Sequence, residues 1–283
     1  MKIQKNLLIG LVKSRLNILS LINPSLARKE VMRLFCTPLV RYKGKPADIF
    51  LKSEALEFKL DDLSIRGFRC NHPSLKKLLI LHGFSSSCHK FEHFVKPLVK
   101  LGYEVLAFDA PAHGRSDGKQ VNALVYAEMI KKIQTLYGPI NAYIGHSFGG
   151  LAACFALESL QSLPATKLVL IAPAADTTTA IDNAFAMLKL RNKKLRQMMD
   201  DEILALSGNE TSWFSIRRAI KNIDAEVLWI QDENDLITPM KDALKVKDDN
   251  HGHVNFCITK GLGHQKIYHD RTVMDTIINF LGK

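Results

Sequence analysis

The chain has 283 residues, 47% of them apolar, which suits one folded domain with an insertion and shows no composition typical of disorder. The formal net charge is +11, but the first 50 residues carry ten Lys or Arg against two Asp or Glu, and the rest of the chain is close to neutral. Without interleaved basic and aromatic residues, this charge argues against a nucleic-acid-binding face. Five scattered cysteines without a C-x-x-C motif predict reduced thiols in a cytoplasmic protein.

Residues 3–22 predict an amphipathic helix at the start of this basic arm. The apolar residues that recur at helical spacing are Ile3, Leu7, Leu8, Leu11, Ile18, Leu19 and Ile22. The apolar run 7–12 is too short for a signal peptide or a membrane span. We expect this helix to pack across the body of the fold or against the helices of residues 174–221; contact with a membrane surface is the alternative, because the polar face is basic. A second helix is predicted over 25–35.

Strand and helix patterns alternate through most of the remaining chain. Residues 51–60 and 63–70 predict two antiparallel strands, and the continuous apolar run that starts at residue 77 predicts a strand buried on both faces. The elements predicted next are helix 89–100, strand 103–108, helix 121–137, strand 142–144, a helix from 151 and strand 167–172. Such alternation predicts a parallel sheet with right-handed crossovers.

From residue 174 to 221 the alternation stops, and only helical patterns occur, over 180–190, 194–205 and 213–220. The alternation resumes with strand 226–230, a helix from 240, strand 254–259 and helix 267–281. The sequence therefore predicts three parts. They are a helical arm over 1–50, an α/β core over 51–173 and 222–283, and a helical insertion over 174–221.

The segment Gly145-His-Ser-Phe-Gly149 joins a predicted strand to a predicted helix, which is the context of a G-x-S-x-G nucleophile elbow. Side chains at Gly145 or Gly149 would crowd so tight a turn. The turn would lift the Ser147 hydroxyl clear of the backbone and place the Phe148 N–H where it can bind an oxyanion. Taken alone, the pattern also fits an ordinary strand-to-helix turn that contains a serine.

Five motifs occur in an order that, over roughly residues 51–283, resembles the α/β-hydrolase fold family. They are His82-Gly-Phe84, Asp109-Ala-Pro-Ala-His-Gly-Arg-Ser116, Gly145–Gly149, Asp232-Glu-Asn-Asp-Leu-Ile-Thr-Pro239 and Gly261-Leu-Gly-His264. The resemblance implies a mostly parallel, doubly wound sheet, with a helical cap at the insertion. Ala112 and Asp232 stand where the family commonly has glycine, and we expect these departures to bear on the substrate.

The resemblance implies that Ser147 is the nucleophile, Asp235 the acid and His264 the base, in the family's chain order. Asp176 follows an earlier predicted strand and is the alternative acid, while Asp232 shares a loop with Asp235. A helix-capping role remains the simpler alternative for a loop aspartate. By the same resemblance, the Phe84 N–H joins the Phe148 N–H in an oxyanion hole. Asp109, His113, Arg115 and Ser116 are expected to brace their own loop, with substrate contact as the alternative.

An intact nucleophile, base and acid favour a serine hydrolase that cleaves an ester, thioester or amide through an acyl-enzyme. A non-catalytic small-ligand-binding protein, an acyltransferase and a C–C bond hydrolase remain alternatives on this fold. The expected partner is a small, largely apolar acyl substrate, and the residues expected to line its pocket are Phe185, Met187, Met198 and Trp213. No metal-ligand spacing, phosphate loop or dinucleotide motif occurs, so no metal and no cofactor are predicted.

Overall fold

The computed structural model describes residues 2–42, 44–160 and 165–283, with side chains described from Ile9 onward. The chain divides into two compact units. The larger unit comprises Pro38–Ala175 and Ile216–Lys283, and the smaller comprises Met1–Thr37 and Asp176–Ser215. The first 37 residues thus form one unit with most of the insertion, whereas the sequence suggested an arm and an insertion as separate parts.

The larger unit is built on a single sheet. Its strands are β1 Glu54–Leu60, β2 Leu63–Cys70, β3 Lys76–Leu81, β4 Tyr103–Phe108, β5 Ala142–His146, β6 Lys167–Ile171, β7 Glu226–Asp232 and β8 Val254–Thr259. Among the described residues these strands lie in the order β1-β2-β4-β3-β5-β6-β7-β8. The β1–β2 and β2–β4 pairs are antiparallel and the other pairs are parallel, so the prediction of a mostly parallel sheet is confirmed.

The described helices are α1 Lys2–Ile22, α2 Pro24–Cys36, α3 Asp48–Leu51, α4 Glu92–Lys100, α5 Ala123–Tyr137, α6 Phe148–Leu157, α7 Thr177–Met187, α8 Lys193–Ser207, α9 Ile216–Ala219, α10 Met240–Asp248, α11 Gly263–Lys266 and α12 Arg271–Gly282. Short polar side chains fix where several of them begin, because they accept the first unpaired N–H groups. Asn122 accepts from the Val125 N–H at the start of α5, and Asp270 accepts from the Val273 N–H at the start of α12.

In the central strands β4, β3, β5, β6 and β7 both faces are buried, because successive residues of a strand point to opposite sides and both sets are inaccessible. Leu78 packs on one face in a cluster that includes Phe94 of α4. Leu79 and its register partner Tyr143 lie on the other face, where the Tyr143 hydroxyl donates to Gln134 of α5 at 3.1 Å. Helices therefore cover both sides, as a doubly wound sheet requires.

Some element bounds differ from the prediction. The strand predicted over 51–60 begins at Glu54, because residues 48–51 form α3. The helix predicted over 267–281 begins at Arg271, after the 3₁₀ turn Ile267–His269, because Asp270 caps the new helix there. All five cysteines are free thiols. The cytoplasmic location that their spacing suggested stays a prediction.

In the smaller unit, α1 packs against α2 and α8, and α2 packs against α8. The side of α1 that carries Leu16, Asn17 and Ser20 faces these helices: Leu16 and Ser20 are buried, and Asn192, which caps α8, donates to the Asn17 carboxamide oxygen at 3.0 Å. The apolar residues Leu11 and Ile18 are instead exposed. The helix thus packs against the insertion, as expected, but Leu11 and Ile18 of its apolar face take no part in this packing. The side chains of Ile3, Leu7 and Leu8 lie outside the described residues.

The predicted pocket residues also belong to the smaller unit. Phe185 of α7 and Met198 of α8 are buried, Met187 is exposed, and Trp213 is half-buried with its ring 5.0 Å from that of Phe214. These positions fit the packing of the unit itself. Their assignment to a substrate pocket stays a prediction.

Candidate active site

Ser147 lies between β5 and α6 in a strained backbone conformation, with φ 53° and ψ −118°. A positive φ is unfavourable for a residue with a side chain, so the surrounding turn must hold it in place. A Cβ at Gly145 would lie 2.7 Å from the Gly150 Cα, and one at Gly149 would lie 2.5 Å from the Leu81 carbonyl oxygen. The turn therefore requires glycine on both sides of the serine.

Three side chains from three loops form one hydrogen-bonded chain. His264 Nε2 lies 3.0 Å from Ser147 Oγ, and His264 Nδ1 lies 2.8 Å from Asp235 Oδ2. The three residues follow the carboxyl ends of β5, β7 and β8, which meet at the same edge of the sheet. With its Nδ1–H directed at the carboxylate, the imidazole presents Nε2 as an acceptor for the serine proton.

The surroundings of Asp235 keep its carboxylate ionised. The side chain is buried, and its Oδ1 accepts the N–H groups of Ile237 and Thr238 at 2.8 and 2.9 Å. Burial would raise the pKa of Asp235, but the hydrogen bond and charge interaction with His264, together with the bonds from Thr238, lower it below its usual value. An ionised carboxylate at this position can orient the imidazole and stabilise imidazolium.

The alternative acid, Asp176, has a different contact. It is the N-cap residue of α7, where its Oδ1 accepts the Thr179 N–H at 3.1 Å. Such a bond satisfies one of the unpaired donors at a helix start. The hydrogen bond to His264 therefore favours Asp235 as the acid.

Asp232 connects the loop that carries Asp235 to the loop that carries His264. Its Oδ1 accepts the N–H groups of Asn234 and Gly263 at 3.0 and 2.9 Å. Its Oδ2 accepts the Thr259 hydroxyl at 2.8 Å and the Leu262 N–H at 3.0 Å. Burial raises the pKa of this carboxyl, but the four hydrogen bonds lower the pKa by more than burial raises it, so the net shift is downward. This departure from the family's glycine braces two loops of the site, and its expected bearing on the substrate stays a prediction.

The loop after β3 passes directly beside Ser147, because a Cβ on Gly83 would lie 3.1 Å from the Ser147 Cβ. The rings of Phe84 and Phe148 meet edge to face, with centroids 5.5 Å apart. Among the described residues, the N–H groups of Phe84 and Phe148 have no protein acceptor. For Phe148 this follows from its place in the first turn of α6, where N–H groups lack intrahelical partners. Both groups can therefore donate to an oxyanion.

Two buried histidines connect the Phe84 loop to the loop after β4. His113 Nε2 accepts the Ser85 N–H at 2.9 Å, and His82 Nε2 accepts the Ala110 N–H at 2.9 Å. Each of these nitrogens must be unprotonated, since the backbone N–H is the donor. Burial lowers the pKa of both side chains, and burial together with the neighbouring His82 lowers the pKa of His113 to about 3.

His146 holds the candidate base from the nucleophile side of the site. Its Nε2–H donates to the carbonyl oxygen of His264 at 3.1 Å, and the two rings lie 4.8 Å apart. Burial, followed by the charge on His264, lowers the pKa of His146 to about 3, so this imidazole stays neutral. The sequence placed His146 in the elbow motif alone, and its contact with His264 was not predicted.

Cys88, His89 and Asp109 form a buried cluster in which one potential ligand atom of each lies within 4.8 Å of the others. Both Asp109 oxygens already accept backbone N–H groups, of Cys88 and of Arg115, at 2.9 Å. The Ser116 hydroxyl donates to the Asp109 carbonyl oxygen at 2.6 Å. We therefore assign the contacts of Asp109 to bracing of its loop, as the sequence suggested.

We expect the protein to lose stability as the pH falls from 7 to 5. His113 and His146 have pKa values of about 3 when folded, against about 6.5 for an unperturbed histidine. The unfolded state therefore binds protons first, so the stability due to these neutral imidazoles is complete above pH 6.5 and declines below it. At pH 5 the loss is about 2 kcal/mol for each histidine. Urea unfolding at pH 7, 6 and 5 measures it.

His113→Gln is the matched variant, because its side-chain oxygen can still accept the Ser85 N–H but cannot titrate. Its free energy of unfolding is expected to fall less between pH 7 and 5 than that of the wild type. Most carboxylates titrate below pH 5, so the histidines account for most of the change in stability between pH 7 and 5. Equal slopes for the two proteins would contradict the assignment.

The sheet is mostly parallel, with antiparallel strands at one end, and a serine lies on a strained turn after β5. An acid and a histidine follow β7 and β8 and complete the hydrogen-bonded site. This combination defines the α/β-hydrolase class. The chain belongs to the family described as "Serine aminopeptidase, S33", whose model matches residues 72–229, more than half of its length.

Known proteins of this kind resemble the chain along most of its length. "Putative esterase/lipase 2" of Mycoplasma pneumoniae is 23% identical over 248 residues, which is 74% of this chain and 90% of that protein. The Pyrococcus furiosus esterase Pf2001 has a TM-score of 0.63 at 19% identity and covers 87% of this chain and 98% of its own. A bacterial membrane phospholipase A has a TM-score of 0.63 at 17% identity and covers 98% of both chains. The fold is thus shared with esterases and lipases, and the chain is an esterase/lipase-like hydrolase by family.

Proposed function

We propose that this protein is a serine hydrolase that cleaves an ester, thioester or amide of a small, largely apolar acyl substrate through an acyl-enzyme. The observation that carries this proposal is the hydrogen-bonded chain from Asp235 through His264 to Ser147. A serine hydroxyl needs such a base, and the base needs an orienting acid. A protein that only held a ligand would not require all three.

In the proposed reaction, Ser147 Oγ attacks the carbonyl carbon while His264 Nε2 takes the hydroxyl proton. The N–H groups of Phe84 and Phe148 donate to the oxyanion that forms. His264 then gives its proton to the leaving alcohol, thiol or amine, and the acyl group remains on Ser147. Water attacks the acyl-enzyme with His264 again as base, which releases the carboxylic acid. Asp235 stabilises the imidazolium in both halves.

The apolar nature of the acyl group is supported by the side chains around the site in the larger unit. Leu236 and Ile237 directly follow Asp235, and they are 87% and 50% exposed. Leu39, whose N–H donates to the Ser85 hydroxyl next to Phe84, is also exposed. Apolar residues around a few polar groups are typical of sites that hold apolar ligands. They suit an acyl chain better than a sugar or a phosphate ester.

We expect kcat/KM for p-nitrophenyl esters to rise from acetyl through butyryl to octanoyl. Leu236→Ala should lower the octanoyl-to-acetyl ratio of kcat/KM about fivefold, because each buried methylene contributes about 0.8 kcal/mol. The rate on the acetyl ester should change little. Leucine p-nitroanilide, measured in parallel, separates amide from ester preference.

Leu75→Ala provides the matched control, because Leu75 is also exposed but directly precedes β3, at the sheet edge opposite Ser147. Its chain-length profile should equal that of the wild type. If Leu236→Ala gives the same profile as Leu75→Ala, Leu236 does not contact the acyl chain. If no acyl ester or amide is cleaved at all, the proposed function fails.

A further inference from the structure

Helix α1 exposes an apolar face to solvent. Leu11, Ile18 and Ile22, spaced by seven and four residues, lie on the same side of the helix. They are 62%, 56% and 73% exposed, and Leu21 beside them is 76% exposed. Scattered exposed apolar residues are ordinary, but an aligned row on one helix marks an interaction surface.

The opposite side of α1 explains why this face points outward. Leu16 and Ser20 are buried there, and Asn17 accepts its hydrogen bond from Asn192 of α8. The Ser20 hydroxyl donates to the Asn17 carbonyl oxygen at 2.7 Å, so the buried polar atoms on this side are paired. A rotation of α1 that buried Leu11 and Ile18 would break these contacts. The exposed row is therefore fixed by the packing of the smaller unit.

The charge on α1 and α2 indicates what the row can contact. Residues 1–37 carry seven Lys or Arg and one Glu, a net charge of +6. Glu30 pairs with Arg33 at 2.7 Å and with Arg15 at 3.2 Å, and the Arg15 side chain is still 64% exposed on the same side of α1 as Leu11 and Ile18. Apolar residues on a strongly cationic helix pair are typical of helices that lie on anionic lipid.

We propose that α1 is an interfacial helix, whose row of Leu11, Ile18, Leu21 and Ile22 inserts into the surface of a bilayer that contains anionic lipids. A second copy of this chain is the less suitable occupant, because a pairing of two α1 helices would bring two surfaces of net charge +6 together. The helix lies on the membrane and does not cross it: among the described residues, no helix is long and apolar enough to span a bilayer.

The test is sedimentation of the full chain with vesicles, carried out with Ser147→Ala so that no lipid is consumed. Vesicles of phosphatidylcholine with about 30% phosphatidylglycerol are compared with pure phosphatidylcholine. We expect binding to the anionic vesicles at least about tenfold tighter than to the neutral ones, and a loss of most of this difference when salt is raised to about 0.5 M.

The variant Leu11→Gln/Ile18→Gln/Ile22→Gln keeps good helix formers and is expected to bind anionic vesicles at least about tenfold more weakly. The variant Arg15→Gln/Lys29→Gln removes two exposed positive charges, and it should weaken the same binding about tenfold and leave binding to neutral vesicles unchanged. The matched control Leu75→Gln/Leu136→Gln/Leu206→Gln changes three exposed leucines elsewhere and should bind like the parent. Circular dichroism verifies that all the variants are folded.

Binding of the Leu11/Ile18/Ile22 variant equal to that of the parent would overturn the proposal, as would equal binding to neutral and anionic vesicles. Absence of vesicle binding, with light scattering that shows a dimer broken by the same variant, would assign the row to a second copy instead. No outcome depends on hydrolysis. The test therefore fails or succeeds independently of the proposed function.

Discussion

Replacement of Ser147 by alanine is expected to abolish ester hydrolysis and covalent labelling by a fluorophosphonate, while the fold survives. Ser147 Oγ is the group that His264 Nε2 contacts at 3.0 Å, so the variant keeps the base and loses the nucleophile. For a nucleophile of this kind, kcat falls on the order of a million-fold. The fall is measured on the best ester of the chain-length series, with thermal unfolding to verify the fold. Relief of the positive φ at this position is not expected, because alanine also carries a Cβ.

The labelled site provides the decisive control. Mass spectrometry of the wild type should find the fluorophosphonate adduct on Ser147. Ser85 and Ser86 lie in the neighbouring loop, and the Ser85 hydroxyl already accepts the Leu39 N–H at 3.0 Å. Ser86→Ala should keep both activity and labelling. An adduct on Ser85 or Ser86 in the wild type would show that the nucleophile is misassigned.

Asp235→Asn is expected to lower kcat on the order of ten-thousand-fold, the size of the same change in a serine protease. The asparagine amide would donate to His264 Nδ1 and favour the tautomer with a proton on Nε2. That proton would point at Ser147 Oγ, so the imidazole could no longer accept from the serine. KM should change much less than kcat, because the substitution removes a contact that acts through His264 and touches no substrate.

Asp176→Asn is the matched control for this change, since it makes the same substitution at the alternative acid. Asparagine caps helices as well as aspartate does, so α7 should remain capped and kcat should stay near the wild-type value. The two variants are compared on one ester under saturating conditions. A large loss in Asp176→Asn with near-normal activity in Asp235→Asn would reverse the assignment of the acid.

The strands of the sheet were predictable because each strand has a recognisable pattern of apolar residues in its own short segment of the sequence. A parallel strand buried on both faces must be apolar throughout, and such runs precede Ser147 and Asp235. The elbow was predictable for a steric reason, because only glycine fits at 145 and 149. These features depend on a few neighbouring residues, which a single sequence displays.

Contacts between distant segments could not be predicted in the same way. The hydrogen bond from His146 to the His264 carbonyl joins residues 118 positions apart, and nothing in either motif specifies it. For α1, spacing alone showed that one face is apolar but not which face would pack. The side that packs carries Leu16, Ser20 and Asn17, and its partner Asn192 caps a helix 175 residues further along the chain.

The four hydrogen bonds to Asp232 give the two loops after β7 and β8 a single anchor. A local opening that frees Gly263 or Leu262 leaves the buried Asp232 carboxylate partly unpaired, and this cost couples the opening to the bond that holds Asn234. The amide hydrogens of these residues should therefore exchange with solvent through one cooperative event, with a common opening free energy. Asp235 and His264 would then leave their positions together, and partial opening at this edge would remove the acid and the base in one step.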